Sequence, residues 1–420
     1  MAKKVVIVGA GPAGLFAAYK LSKKADITLI DKKRIGGAGL FSDGKLIYHT
    51  RTGTNLPEII GKEKTQGLID EVEKIFTEYG VETDKRDTEK ERDLMKKAAQ
   101  NGIEFISSKQ AHVGSDNLPK TIEKLVSDID SEIILKEEIV DFEKNILRGE
   151  RGEYKFDHLI IATGRSGSRW FEQLVENHNI EKGYNPVDIG VRVEVPASIM
   201  EEQCKISWDF KARMITPTYE DPIRTFCVCP NGFVVKEKYE GFCLVNGHSM
   251  KTKKSENTNF AFLVHWKPKD PVKSGNVYGE AIARKAATIW GEKPAIQRLG
   301  DLRRGRRSTW DRIEKYKEPE PTLKNITPGD IGSGLEYRFV LDILEGFGKL
   351  EKIIPGVSQD STLLYAPEIK FHGIKVKTDK YLQTNIPEIY VAGDGAGVSR
   401  GIVGAAASGL LVAEGILKKL

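Results

Sequence analysis

The sequence predicts an α/β fold in which a Rossmann-like dinucleotide-binding domain, made of a parallel sheet and a β-meander, carries an inserted antiparallel-sheet substrate domain. Three observations predict this architecture. An apolar, β-branched run at 5–8 ends at glycines spaced G-x-G-x-x-G. Apolar segments that end in small residues recur at 158–164 and 389–397. The intervening stretch contains runs of alternating polar and apolar residues, which are typical of antiparallel strands.

The first glycine motif has a mechanical explanation. Gly9 allows the tight turn after the strand, Gly11 lets the backbone approach a pyrophosphate, and Gly14 lets the helix pack close to the strand. Pro12 and Ala13 begin that helix. Its unpaired N–H groups and the positive end of its dipole then point at the phosphates.

An acidic residue stands where the same motif requires one. The second strand, 27–30, ends at Asp31, and Lys32 follows. A carboxylate at this strand end accepts hydrogen bonds from the ribose hydroxyls of an adenosine. We therefore predict that Asp31 and Lys32 contact the nucleotide.

A glycine-rich loop, 36–46, comes next and ends in a short polar and cationic segment. It is either an ordinary flexible loop or, because glycines permit close backbone approach, part of the wall around the dinucleotide. We favour the wall. The predicted contacts in this loop are Gly37, Gly39, Ser42, Asp43 and Gly44, and Lys45 is a candidate catalytic residue.

Bulk composition limits the possible partners. The chain has 420 residues, 40% hydrophobic and 30% charged, with a mean hydropathy of −0.36, as expected of a soluble globular protein with two or three domains. A net charge of +5 over the whole chain is too slight to indicate nucleic acid or a membrane surface as a partner, and we expect neither. No run is long enough to span a bilayer, and a core strand follows the first residues at once, so we expect a cytoplasmic protein without a cleavable leader. The four cysteines form no disulfide framework, and we expect them to be reduced.

The stretch from 57 to 101 predicts two amphipathic surface helices, inserted in the first domain. Asp116 or Asn117 is the expected cap of the helix that Pro119 helps to start. His112, a lone histidine, is either structural or functional. The following short strands predict a β-meander, in which the backbone at Val140 either meets an adenine edge or only covers the sheet.

Two later strand ends complete the predicted cofactor site. The strand at 158–161 ends in Ala162-Thr163-Gly164, whose small residues leave space for a bound dinucleotide. Near the end of the sequence, Gly393 and Asp394 follow another strand, and Asp394 is placed to accept hydrogen bonds from a sugar-alcohol chain. The start of the last helix offers unpaired N–H groups and the positive end of its dipole where a reduced, anionic ring would carry its charge, and the predicted contacts are Gly401, Ile402, Val403 and Gly404.

The inserted domain carries the remaining catalytic candidates. Cys227 and Cys229 share one face of a predicted strand, and they are either packing residues, a redox dithiol or part of a metal site; we predict no metal. His248 is either structural or an acid or base at the cleft. The cluster Arg303 to Arg307, with Arg306 as its candidate, either clamps a substrate anion or is a solvated basic loop.

We place the domain boundaries where these patterns change. The predicted domains are 1–185 for the first part of the nucleotide-binding domain, 186–354 for the substrate domain and 355–420 for the last part of the nucleotide-binding domain.

The separated segments Gly9 to Gly14 with Asp31, Ala162 to Gly164, and Gly393-Asp394 together resemble the FAD-binding flavoproteins of the glutathione-reductase class. The resemblance implies noncovalently bound FAD. It places Gly11 to Gly14 at the pyrophosphate, Asp31 at the adenosine ribose and Asp394 at the ribityl chain. It also places the backbone of 402–404 beside the pyrimidine edge of the flavin.

A narrower resemblance runs nearly from end to end. The family of uncharacterised FAD-dependent dehydrogenases is similar to this chain at 36–46, 112–116, 226–232, 246–249 and 298–301. This resemblance implies a cofactor but no substrate.

One departure from the wider class limits the reaction. Disulfide reductases of that class carry a second G-x-G-x-x-G for a nicotinamide nucleotide, and none between a strand and a helix follows Gly14. We therefore predict an FAD-dependent dehydrogenase that transfers a hydride between the flavin and a small-molecule substrate in the inter-domain cleft, with NAD(P)H as an optional transient reductant. The alternatives are a flavin-dependent RNA- or cofactor-modifying enzyme and a flavin-binding protein without turnover.

Overall fold

The computed structural model describes residues 2–37, 44–84, 87–114, 117–183, 186–250, 253–269, 271–272 and 274–420. The chain divides into two compact units. The first unit comprises 1–85, 109–184 and 373–420, and the second comprises 86–108 and 185–372. Within the described residues, no helix is both long enough and apolar enough to cross a membrane.

A parallel sheet forms the centre of the first unit. Its strands, in spatial order, are β22 (Ile389–Val391), β10 (His158–Ile161), β1 (Lys4–Val8), β2 (Asp26–Asp31) and β6 (Glu132–Leu135). Neighbouring strands pair in parallel, for example Val6 with Thr28 on one side and with Leu159 on the other. Since β1 is central, Val5 to Val8 are buried on both faces, which accounts for the continuous apolar run.

Helices cover the sheet of the first unit. They are α1 (Pro12–Leu21), α2 (Pro57–Ile60), α3 (Lys62–Glu78), α5 (Leu118–Ser127), α6 (Ser168–Asn177) and α13 (Ile402–Leu417). Helices α1 and α13 pack in close contact: a Cβ atom added to Gly409 would lie 2.1 Å from the carbonyl oxygen of Ala13. The apolar, small-residue composition of α13 therefore reflects a helix that is buried almost all round.

Small antiparallel sheets complete the first unit. They are β3 (Lys45–Tyr48) with β5 (Lys109–His112), β11 (Lys182–Gly183) with β21 (Lys375–Val376), and the meander β7 (Ile139–Glu143), β8 (Ile146–Gly149) and β9 (Glu153–Lys155). The predicted meander is confirmed. The cap prediction fails at Asn117, which precedes α5 without a capping hydrogen bond from its side chain, and Asp116 lies outside the described residues.

The second unit is built on an eight-stranded sheet. In spatial order its strands are β19 (Thr327–Pro328), β18 (Ala295–Arg298), β20 (Leu363–Phe371), β12 (Val187–Pro196), β17 (Asn257–Trp266), β14 (Pro222–Cys229), β13 (Lys211–Ile215) and β4 (Ile103–Ile106). All neighbours pair antiparallel except β18 and β19. The predicted antiparallel sheet is therefore confirmed.

A hairpin and several helices accompany this sheet. The hairpin is β15 (Phe233–Tyr239) and β16 (Phe242–His248). The helices are α4 (Thr88–Gln100), α7 (Ala197–Ile206), α8 (Gly275–Trp290), α9 (Leu299–Arg303), α10 (Trp310–Glu314), α11 (Ile331–Gly334) and α12 (Tyr337–Leu350).

One prediction about this sheet is wrong. The polar residues of β12 indicate a solvated or cleft-facing side, yet the strand is buried on both faces. Its polar side chains have partners inside the unit: Asp188 pairs with Arg224, and Arg192 with Glu368. Those partners stand on β14 and β20, so the polar side of β12 is filled by internal ion pairs instead of water.

The boundaries also differ from the predicted ones. The segment 57–101 contains three helices, α2, α3 and α4, instead of two. The last of them, with β4, belongs to the second unit because β4 pairs with β13. The return to the first unit lies between 372 and 373 instead of 354 and 355, since β20 pairs with β12 and β18.

Candidate functional site

The carboxyl ends of the parallel strands in the first unit bring the predicted nucleotide residues to one edge of the sheet. Gly9 follows β1, Asp31 ends β2, Ala162 follows β10, and Gly393 lies just beyond β22. Ligands of open α/β sheets bind outside the carboxyl ends of the strands, so this edge is the candidate site.

The glycines of the first motif have different surroundings. A Cβ atom on Gly9, whose φ is +109°, would lie 2.3 Å from the carbonyl oxygen of Ala162. A Cβ on Gly14 would lie 1.9 Å from the carbonyl oxygen of Gly9. By contrast, a Cβ on Gly11 would meet no atom of the described residues within 4 Å. Packing inside the protein explains two glycines, whereas the third borders open space, as a pyrophosphate contact requires.

Helix α1 begins at this open space. Gly11 is its N-cap, and no side chain caps the helix. The first N–H groups of a helix have no partner within the helix and attract anions. The start of α1 therefore fits a phosphate group next to Gly11.

Asp31 already has backbone partners. Its Oδ2 accepts a hydrogen bond from the N–H of Ala10 at 2.9 Å, and its Oδ1 accepts from Lys33 at 2.8 Å and Arg34 at 3.1 Å. The carboxylate thus ties the turn after β1 to the end of β2. Because each carboxylate oxygen can accept more than one hydrogen bond, ribose hydroxyls remain compatible with this geometry.

The glycine-rich loop reaches the first motif. The N–H of Gly36 donates to the carbonyl of Ala10 at 2.7 Å, and a Cβ on Gly37 would lie 3.1 Å from the Cα of Gly11. Further along, Gly44 packs against the backbone of Gly114. The predicted contacts Gly39, Ser42 and Asp43 lie outside the described residues.

The end of β10 presents a buried hydroxyl to the same edge. The N–H of Ala162 continues the sheet by donating to the carbonyl of Val8 at 2.8 Å. The Oγ1 of Thr163 is buried and has no hydrogen-bond partner among the described residues. Gly164 then leads into a short 3-10 helix, Arg165–Gly167. An unsatisfied buried hydroxyl is costly, and a bound ligand could supply the missing partner.

Asp394 stands at the start of a second short 3-10 helix, Asp394–Ala396. Its Oδ1 accepts a hydrogen bond from the Oγ of Ser399 at 2.6 Å, and its Oδ2 lies 3.6 Å from the Nε of Arg165. Burial raises the pKa of the Asp394 carboxyl, against the opposing effects of Ser399 and the nearby arginines. The preceding N–H, that of Gly393, donates to the Oγ of Ser408 at 2.9 Å.

The start of α13 is held by a loop of the same unit. Gly401 is the N-cap without a capping side chain, so Ile402 and Val403 begin the helix with unpaired N–H groups. A Cβ on Gly404 would lie 2.0 Å from the carbonyl oxygen of Gly53. We did not predict from the sequence that this loop contributes to the site, because nothing in residues 53–55 indicates that they contact the last helix of the chain.

Val140 lies on β7 of the meander, and Lys32 directly follows β2. Val140 is 58% exposed, and its carbonyl accepts a hydrogen bond from the Nε1 of Trp170 at 2.9 Å. Lys32 Nζ lies 3.7 Å from an oxygen of Glu138. The adenine contact predicted for Val140 is untested, but Trp170 already occupies one acceptor position on its carbonyl.

The catalytic candidates divide between the two units. Lys45 is half-buried on β3, opposite His112 on β5, in the first unit. His248 is exposed at the end of β16, in the second unit. Cys227 and Cys229, also in the second unit, lie at the end of β14 with their sulfur atoms 3.9 Å apart, and neither is in a disulfide.

Three arginines of the cluster, Arg303, Arg304 and Arg306, form ion pairs with nearby aspartates. Arg306 Nε lies 2.7 Å from Asp301 Oδ1, and Arg304 Nη2 lies 2.8 Å from Asp360 Oδ2. Arg303 reaches the same Asp360 at 3.4 Å. These local ion pairs weaken the prediction of an anion clamp, because the guanidinium groups are already directed at Asp301 and Asp360 within the protein.

A histidine cluster of the second unit escaped sequence reasoning. Asp188 Oδ1 lies 2.6 Å from the Nδ1 of His265, and its Oδ2 lies 3.2 Å from the Nε2 of His372 and 2.7 Å from Arg224 Nη2. Burial alone would raise the pKa of Asp188, but Arg224 and the two histidines hold it well below its usual range. The three histidine and carboxylate ligand atoms lie within 4.8 Å of one another, as in metal sites, yet Arg224 already supplies a cation. The residues are far apart in the chain, so no spacing signals the cluster.

Two family models match successive parts of the chain, and the boundary between them lies next to residue 185, where the longer segment of the second unit begins. Residues 3–185 match the family model of pyridine nucleotide-disulphide oxidoreductases. Residues 186–370 match the model described as FAD-dependent protein, C-terminal domain-like. Together with the dinucleotide fold of the first unit, these matches identify the chain as an FAD-dependent oxidoreductase, with FAD as its cofactor.

Individual relatives are distant. An uncharacterized protein of Clostridium beijerinckii is 26% identical over 485 residues, covering 99% of this chain and 80% of the relative. Among solved structures, L-proline dehydrogenase from P. horikoshii aligns with a TM-score of 0.46 and 14% identity, covering 100% of this chain and 94% of that one. Glycine oxidase from Geobacillus kaustophilus aligns with a TM-score of 0.40 and 11% identity, covering 99% and 95%. Similarity at these levels defines no substrate.

Proposed function

We propose that this FAD-dependent oxidoreductase is a dehydrogenase of the glutathione-reductase class that oxidises or reduces a small molecule. When bound, FAD supplies hydride transfer at its flavin ring. The observation that carries the proposal is the open space at Gly11, where α1 begins without a side-chain cap, beside the carboxylate of Asp31. In this proposal Gly11 to Gly14 hold the pyrophosphate and Asp31 accepts from the adenosine ribose.

The chain's own groups position the cofactor at the other strand ends. Asp394 accepts hydrogen bonds from the ribityl chain, and Ser399 fixes the carboxylate through Oδ1. The buried hydroxyl of Thr163 gains a partner. The unpaired N–H groups at the start of α13 stabilise negative charge on the pyrimidine edge of the ring.

The electron donor is the open variable in this proposal. The absence of a second G-x-G-x-x-G after Gly14 favours a substrate that reduces the flavin directly, with NAD(P)H as a transient visitor in the alternative. The paired arginines Arg303, Arg304 and Arg306 favour neither an RNA groove nor an anion clamp. We therefore propose a small molecule as the substrate.

Anaerobic reduction tests the proposal. The purified holoprotein would be mixed with NADH, with NADPH and with fractions of a metabolite extract, while the flavin absorption is followed. We expect one of these to bleach the flavin, and reoxidation by an acceptor to give turnover. A holoprotein that no donor bleaches, although dithionite does, would contradict the proposed dehydrogenase activity without affecting FAD binding.

A further inference from the structure

We propose that Cys227 and Cys229 form a redox-active dithiol, which low-molecular-weight disulfides oxidise to an intramolecular disulfide. This inference goes beyond the proposed flavin chemistry and does not depend on it. It rests on the backbone at the two cysteines, on the distance between their sulfur atoms and on the cations around them.

The backbone brings the two sulfurs together. Along a regular strand, residues i and i+2 are separated by about 6.6 Å. Here β14 carries an extra residue relative to β17: Phe226 pairs with Ala261 and Cys229 with Asn259. Cys227 lies in this bulge, and its φ is +48°, a backbone conformation uncommon for residues other than glycine. The resulting Sγ to Sγ distance is 3.9 Å, so a bond requires an approach of about 2 Å, within reach of side-chain rotation.

A buried guanidinium lies against the pair. Arg192 Nη2 donates to the carbonyl of Cys227 at 2.8 Å and to the Sγ of Cys229 at 3.3 Å. Its Nε donates to Asn259 at 2.8 Å. Arg192 is fully buried, so its charge acts through little water. A hydrogen bond from such a cation stabilises a sulfur that becomes negatively charged.

Further charged groups surround this guanidinium. Glu368, also fully buried, lies 3.4 Å from Arg192 Nη1 and 3.1 Å from Lys370 Nζ. Glu237 also acts on Lys370, so two carboxylates accompany the two cations. The hydrogen bond from Arg192 to the Cys229 sulfur is therefore the interaction that favours a thiolate at the pair.

Two glycines make room for this cluster. A Cβ on Gly247 would lie 1.6 Å from Arg192 Nη2, and a Cβ on Gly232 would lie 2.8 Å from the Cβ of Cys229. Both glycines belong to segments singled out in the sequence, Cys227 to Gly232 and Asn246 to Ser249. Their small size is explained by the cysteine site.

Exposure sets the order of the reaction. Cys227 is half-buried, whereas Cys229 is 1% exposed. The Cys227 thiolate attacks one sulfur of an external disulfide, forms a mixed disulfide and releases the first thiolate. Cys229 then attacks the Cys227 sulfur, closes the internal disulfide and releases the second thiolate. The pair loses two electrons and two protons, and the external disulfide becomes two thiols.

Peptide mapping of the full-length holoprotein tests the proposal. The protein would be equilibrated anaerobically in buffers of reduced and oxidised glutathione, acid-quenched, alkylated and digested with trypsin. The peptide 225–236 contains both cysteines and no other. As the buffer becomes oxidising, we expect this peptide to change from the doubly alkylated form to an unalkylated form. The unalkylated form should be lighter by two hydrogen atoms than the same peptide with two thiols. A peptide that stays doubly alkylated in oxidised glutathione, or that keeps a glutathione adduct, would overturn the proposal.

Variants test the order. In Cys229→Ser we expect a stable glutathione adduct on Cys227, and in Cys227→Ser we expect no adduct on the buried Cys229. The matched control is the double variant Cys204→Ser/Cys243→Ser, which keeps the pair and should oxidise like the wild type. Equal adduct formation in both single variants would overturn the assigned roles. The wild-type map needs no variant, so a misfolded variant leaves the main test intact.

Discussion

Substituting Gly11 by alanine separates the cost of cofactor binding from the cost of folding. The added Cβ has no atom within 4 Å in the part of the chain that the structure describes, and φ at this N-cap is −81°, which alanine adopts freely. The matched control is Gly14→Ala, where the added Cβ would lie 1.9 Å from the carbonyl oxygen of Gly9. The two variants add the same methyl group three residues apart.

The structure gives the expected magnitudes. In Gly11→Ala the loss of a glycine cap and the gain in chain stiffness nearly cancel, so the free energy of unfolding of the apoprotein changes by less than about 1 kcal/mol. If a pyrophosphate fills the open space, the methyl group costs about 1–3 kcal/mol of binding free energy, as overpacking does elsewhere. The dissociation constant for FAD then rises roughly 5- to 150-fold. In Gly14→Ala the clash is with backbone, and the apoprotein itself loses about 1–3 kcal/mol or more.

The assay combines two measurements on flavin-stripped protein. Circular dichroism follows thermal unfolding of the apoprotein, and isothermal titration calorimetry measures FAD affinity. We expect Gly11→Ala to keep the wild-type melting temperature within about 4 °C and to lose affinity, and Gly14→Ala to melt earlier. A Gly11→Ala protein that is folded and binds FAD within about twofold of the wild type would refute the placement of the pyrophosphate, since less than about 0.5 kcal/mol would then be lost.

Three further predictions follow from the polar groups. Asp394→Ala should weaken FAD binding roughly 5- to 100-fold, because a buried hydrogen-bond acceptor is lost, and unchanged affinity by calorimetry would contradict its role. Arg224→Met should lower the free energy of unfolding by about 1–3 kcal/mol, because the buried Asp188 carboxylate loses its hydrogen bond from the guanidinium and keeps those to His265 and His372; a loss below about 0.5 kcal/mol in urea titrations would contradict this. Burial raises the pKa of Asp342 to about 6, so its protonated form stabilises the fold at low pH, and that stabilisation is lost as pH rises through 6. Between pH 5 and 7.5 the free energy of unfolding of the wild type should therefore fall by about 1 kcal/mol more than that of Asp342→Asn. Urea unfolding curves that shift equally with pH in both proteins would contradict the contribution of the buried carboxyl.

The nucleotide-binding unit was predictable because its signals are local. Gly9, Gly11 and Gly14 directly follow the strand that they serve, and Asp31 and Asp394 stand at or just beyond strand ends. Parallel strands bring such ends to one edge whatever the length of the intervening chain. The roles of these residues toward FAD stay predictions.

The second unit was harder to predict because its polar residues are satisfied by distant partners. The alternation in β12 indicated a solvated face, but Arg192 pairs with Glu368, far along the chain, and the strand is buried. The approach of Cys227 and Cys229 depends on one extra residue opposite β17, which a single strand's sequence does not reveal. The end of this unit was misplaced for a similar reason, since β20 is recognisable as part of the sheet only through its pairing with β12.

Reconstitution with FAD is the most direct test of the account. The full-length apoprotein would be incubated with FAD, desalted, and its bound flavin measured by absorbance and released by heat for chromatography. We expect about one intact, noncovalently held FAD per chain, as a single dinucleotide-binding motif implies. A folded protein that stays colourless after incubation with FAD would contradict it.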